Sequence, residues 1–291
     1  MHGDRMVGMQ AAGTGDAVLG EPALTGPVLV GLVVACAASV AVAARIVGRL
    51  RRGLPAVEPW PHPPATWGGG DVAMIVLVYL ALVAAAGLFL DERSSLRVQL
   101  AADVVTRTAA MLAGIALLRS GGASWAALGF GGGRWHENLR LAVGGLALVL
   151  APLLGIAAFL DRIVPYEHRI IDFLSQGRDP VGVGLVVLAA VVVAPLAEEF
   201  FFRRVLQGWL EVRLPEGDGA AAVGLSAAAF AAAHAGQGLA PVPLFLLGIV
   251  LGVVAHRTGT LAPCVLLHSL FNAVSVGLIL AAPAQAAAGG A

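Results

Sequence analysis

Two adjacent carboxylates, Glu198 and Glu199, follow the apolar run 181–197 and precede Phe200, Phe201, Phe202 and Arg203. A charged side chain at membrane depth costs about 2.5–3.5 kcal/mol on insertion scales, so paired glutamates there are read as functional by default. On a helix Glu199 and Arg203 stand four residues apart with the acid first, the favourable order for an ion pair. Glu198 is turned roughly 100° away and is left without that partner. Two more polar clusters interrupt later apolar stretches: Phe230 with His234, and His268 with Asn272 one turn on. An unpaired Glu, two His and an Asn supply a base, a second group for protons or ligands, and neutral hydrogen-bond donors. That set suits attack of water on an amide, where charge develops on the carbonyl oxygen. Taken singly, each residue has a plainer reading. A membrane His or Asn can simply hold helices together, and Glu199 with Arg203 can be a structural pair. Asp103 with Arg107 has the same spacing and is read as structural.

These residues need helices to position them. Eight apolar stretches run approximately 27–47, 72–90, 98–118, 139–160, 181–213, 220–236, 241–256 and 261–281. Most approach the ~20 residues of a spanning helix, so the expected fold is an all-α, polytopic membrane protein with about eight transmembrane helices. The fifth stretch crosses Glu198 and continues to Arg213, projecting beyond the hydrocarbon. At ~1.5 Å per residue, the legs from Glu198 to Arg213 and from Ala220 to His234 are each about 22 Å, so a hairpin returns His234 to the depth of Glu198. His268 and Asn272 share one face of the last helix. The same ruler leaves His268 only about 10 Å from the start of that helix, so the levels agree only if it begins deeper or tilts.

Composition sets the class. The chain is 58% hydrophobic and 12% charged over 291 residues, which excludes a soluble enzyme. All 18 basic residues are Arg, scattered between apolar stretches and balanced by 18 acids, which argues against nucleic-acid binding. Cys36 and Cys264 lie inside apolar stretches and are expected to act as small hydrophobes. The Arg residues after the first, third, fifth and seventh stretches assign those ends to the cytoplasm and both termini to the outside. Residues 1–26 are expected to be a loose tail, 27–138 the first transmembrane helices with an interfacial segment, and 139–281 a core whose peptidase site spans 181–281. Trp125, Leu128, Phe130 and Trp135 among glycines leave two readings of 120–138, a segment lying on the membrane surface or an ordinary loop.

EExxxR at 198–203, FxxxH at 230–234 and HxxxN at 268–272, in that order on successive apolar helices, resemble the CPBP family. These are the CAAX-protease and bacteriocin-processing intramembrane peptidases, which include the type II CAAX prenyl endopeptidases. The resemblance spans about residues 181–275 and includes Arg257-Thr258-Gly259-Thr260-Leu261, similar to the family's RTGS-like turn. Arg204 departs from it, since members often carry Gly there, which puts local packing in question. The resemblance implies that Glu198 and His234 activate water, that His268 and Asn272 stabilise the oxyanion, and that Glu199, Arg203 and Phe230 support them. Chemistry agrees for an unpaired, desolvated Glu198, a better base near neutral pH than a Glu199 held by Arg203.

The preferred mechanism uses no cofactor. The alternative is zinc held by Glu198, His234 and His268, with water in the fourth position. A proton-coupled transporter and a non-catalytic immunity or scaffold protein are the other rivals. The expected partners are the lipid bilayer and a membrane protein or peptide substrate. A composition rich in Ala, Val, Gly and Arg without Lys suggests a bacterial inner membrane.

Overall fold

In the computed structural model the described residues are 26–90, 94–131, 134–164, 173–174, 179–215 and 219–281. They contain helices and no strand: α1 (Gly26–Leu50), α2 (Gly69–Gly87), α3 (Leu96–Ser120), α4 (Trp135–Asp161), α5 (Pro180–Arg213), α6 (Ala220–Ala232), α7 (Pro241–Thr258) and α8 (Ala262–Ala281). The expected tail falls outside the described residues, apart from Gly26 at the start of α1.

Seven of these helices are long and apolar enough to cross a membrane, in keeping with an all-α, polytopic membrane protein of about eight spans. The exception is α6. Its apolar stretch reaches residue 236, yet the helix has only 13 residues, about 20 Å against a hydrocarbon core of about 30 Å. Beyond it Gly236 (φ 96°) and Gly238 (φ 57°) take the left-handed conformation that ends a helix and reverses the chain.

Helix ends follow from local chemistry. At the start of α5 the Asp179 carboxylate accepts from the N–H groups of Val181 (3.2 Å) and Gly182 (2.9 Å), with Pro180 in the first turn where no N–H is needed. Gly259 closes α7 at φ 63°, and a Cβ there would stand 2.1 Å from His62 Cγ, so both conformation and space require glycine.

Buried side chains form three clusters. One joins α2, α3, residues 123–128 and α5 around Phe200; a second joins α4, α7 and α8; a third joins α3, α5 and α8 around Val186. Thus α5 is gripped by α3 on one side and α8 on the other. The segment after α3 is anchored from below, with Ala123, Ala127 and Leu128 buried, while Trp125, Phe130 and Trp135 remain exposed.

Three connections meet at one end of the bundle. The Trp60 N–H donates to the Arg257 carbonyl (2.7 Å), the Leu261 N–H donates to the Gly129 carbonyl (3.0 Å), and the Arg134 guanidinium lies 4.9 Å from the Trp60 ring centroid. This gathers the Arg residues after α1, those around 119–134 and Arg257 at one end. At the other end Arg97 is neutralised by Asp179 at 2.9 Å. The positive-inside rule then predicts that cysteines introduced at 51–54 and at 257 label from the cytoplasm, and those at 162–164 from outside. The reverse labelling pattern would invert the orientation.

Candidate active site

The carboxylates sit where α5 departs from α-helical geometry. Residues Val187–Val193 and Phe200–Leu206 are π-helical, and Ala194–Glu199 between them is α-helical. Wide turns of this kind are rare and concentrate at functional sites. Pro195 accounts for the first. The Ala194 N–H closes the wide ladder onto the Ala189 carbonyl, and the next nitrogen, that of Pro195, carries no hydrogen to offer Ala190. Asn272 fills that gap from α8, its Nδ2 donating to the Ala190 carbonyl at 2.8 Å. One amide hydrogen of Asn272 is therefore spent on the backbone, and the second remains.

Glu199 is fully buried. Its Oε2 accepts from Arg203 Nε at 3.0 Å and its Oε1 from His268 Nδ1 at 2.9 Å. Arg203 also donates through Nη1 to Ser226 Oγ (3.1 Å) and lies 5.1 Å from the Phe230 ring centroid, while the Ser226 hydroxyl donates to the Phe202 carbonyl (2.8 Å). Because a carboxylate only accepts, His268 Nδ1 carries the hydrogen, and in the neutral ring Nε2 holds a lone pair. That lone pair faces Glu198 Oε2 at 3.9 Å. The gap is too wide for a direct hydrogen bond and narrow enough for both atoms to touch one water molecule.

Glu198 is not the unpaired acid expected from the sequence. Its Oε1 accepts from Arg107 Nη1 at 2.6 Å, across from α3. Arg107 also donates through Nε to both carboxylate oxygens of Asp103, at 2.8 and 2.9 Å. The Asp103–Arg107 pair is thus not confined to one helix. The signal that could have revealed it is Arg107 itself, a cation near the middle of the apolar stretch 98–118, where Asp103 is the one acid.

His234 lies two residues past the end of α6. Its backbone N–H tightens onto Ala231 (3.0 Å), leaving the Phe230 carbonyl to accept from His234 Nδ1 at 2.9 Å. This again leaves the lone pair on Nε2 of a neutral ring. Phe230, fully buried, is the spacer between the imidazoles, its centroid 5.0 Å from that of His234 and 5.7 Å from that of His268. The two histidines, both glutamates and Arg203 therefore form one neighbourhood. The mismatch in depth expected for His268 does not keep it from the carboxylates, since α8 brings its ring to 2.9 Å from Glu199 and 3.9 Å from Glu198.

Residues 180–274 match the sequence model of the type II CAAX prenyl endopeptidase Rce1-like family. Over that segment the chain is similar to the CAAX-protease family. No curated protein and no solved structure matches it. The likeness is to an endopeptidase of that general type. The matched segment carries every motif residue, whereas Arg107 and Asp103 lie outside it. The departure at Arg204 is absorbed by packing: the buried guanidinium donates to the Ala127 carbonyl through Nη2 and through Nε at 3.0 Å, tying α5 to the segment after α3. Gly129 makes the room, since a Cβ on it would come within 2.9 Å of Arg204 Cδ.

Proposed function

We propose that this protein is an intramembrane endopeptidase that hydrolyses a peptide bond of a membrane-associated protein or peptide by glutamate- and histidine-activated water. The observation that carries the reading is the buried Glu198 Oε2 turned toward His268 Nε2 at 3.9 Å, with its sister oxygen held by Arg107. Water at this place gives a proton to Glu198, aided by the His234 Nε2 lone pair, and its oxygen bonds to the scissile carbonyl carbon. The proton then passes to His268 Nε2; the imidazolium, backed by the Glu199 carboxylate, hydrogen-bonds the oxyanion and then gives its proton to the amide nitrogen as the C–N bond breaks, leaving a carboxylic acid and an amine. The second Asn272 hydrogen offers another donor to the oxyanion.

A bacterial inner-membrane location is part of the proposal, and a bacterial membrane protein or peptide precursor is the proposed substrate class. The test compares new N-termini in membranes of cells making the wild-type protein and cells making Glu198→Gln. The wild type should yield cleavage products that the variant lacks. Identical N-terminal profiles, with both proteins present at equal level, would overturn the reading.

The zinc alternative shares these residues but fits them poorly. Among the described residues no group of three or more His, Cys, Asp or Glu side chains is arranged to hold a metal ion. Arg107, 2.6 Å from Glu198 Oε1, also competes with any cation for that carboxylate. Purified protein is therefore expected to retain its activity after prolonged dialysis against a strong chelator. Activity lost with stoichiometric zinc and restored by adding it would turn Glu198, His234 and His268 into ligands.

A further inference from the structure

We propose that Arg107 is a positioning residue for the reaction, holding Glu198 by one oxygen so that the other faces His268 and water; this rests on Glu198 being the base. Arg107 comes from α3, outside the segment that matches the family model. Its guanidinium is shared. Nε serves Asp103 and Nη1 reaches Glu198 at 2.6 Å, so one cation spans two helices and two carboxylates.

The sharing has a chemical consequence. An Arg bound to Glu198 alone would cancel its charge and leave a weak proton acceptor in a poorly solvated place. Asp103 takes part of that cation, so the three groups together carry one negative charge. The Glu198 oxygen free of Arg107 is the one aimed at His268 Nε2. Arg107 thus fixes which oxygen works, and Asp103 shares the cation so that it is not held by Glu198 alone. A purely structural pair would need no contact from Arg107 to Glu198, because Asp103 on the same helix already satisfies the cation.

The test measures kcat, KM and thermal unfolding in lipid nanodiscs for wild type, Arg107→Gln, Arg107→Lys, Glu198→Gln and the Arg107→Gln/Glu198→Gln double variant, on a substrate found by N-terminal profiling. Loss of the orienting contact should lower kcat of Arg107→Gln by about 10–100-fold with KM within about twofold, the scale of a small displacement of a reacting group. Arg107→Lys should regain part of kcat, because an ammonium supplies charge without the planar fork that spans two carboxylates. The double variant should be no slower than Glu198→Gln, as expected of residues acting as one unit.

Wild-type kcat in Arg107→Gln, or a further loss in the double variant, would overturn the role of Arg107 while leaving Glu198 as the base. Full activity in Glu198→Gln would overturn both. Should Arg107→Gln fail to assemble, Arg107→Lys decides: a reduced kcat at unchanged unfolding temperature supports the role, and wild-type kcat overturns it.

Discussion

Glu198→Gln should lower turnover by about 10²–10⁴-fold, the usual contribution of a positioned proton-transfer group, while the helices remain assembled. The change preserves volume and keeps an oxygen that can still accept from Arg107, which in turn keeps Asp103. A neutral amide also costs less to hold in this buried position than a carboxylate, so folding loses little. What disappears is the acceptor facing His268 Nε2. Steady-state turnover of a verified membrane substrate, with the unfolding temperature measured on the same preparation, checks both halves. Retention of most of the activity would remove Glu198 as the base. A large fall in unfolding temperature would instead show that the residue is structural and that the loss of turnover is secondary.

That contrast between adjacent glutamates was partly legible in the sequence. Helical spacing alone pairs Glu199 with Arg203 and turns Glu198 away, and the fold preserves both relations. Spacing also placed His268 and Asn272 on one face of α8. Three things were hidden, the first two because they depend on contacts between distant segments. Arg107 lies 91 residues from Glu198, and its reach across α3 to α5 is set by how those helices pack. The bond from Asn272 to Ala190 needs the wide turn that Pro195 provokes, which a count of ~3.6 residues per turn does not foresee. The shortness of α6 was missed because hydropathy carries through to Ala235, whereas the backbone is reversed by Gly236 and Gly238. Apolar composition reports where a chain avoids water, not where its helix stops.

Glu199→Gln should produce the opposite phenotype, a protein that is hard to make before it is inactive. Glu199 and Arg203 are both fully shielded from solvent, and Glu199 accepts two donors at once, His268 Nδ1 and Arg203 Nε. A glutamine has one oxygen for those two positions, so its amide must turn a hydrogen toward one of the donors. Arg203 would then keep only the neutral Ser226 hydroxyl and the face of Phe230, with its Nη2 already lacking a partner. Breaking one member of such a buried pair costs about 3–5 kcal/mol, a large share of the 5–15 kcal/mol that holds a typical domain together. The expected result is a sharp fall in purified yield and in unfolding temperature in micelles. A double replacement, Glu199→Leu with Arg203→Met, removes both charges and should recover much of that stability. It should remain inactive, because His268 loses the carboxylate that fixes its tautomer. Wild-type stability in Glu199→Gln would mean that Arg203 finds another counter-charge, and the division of labour between the two glutamates would then fail.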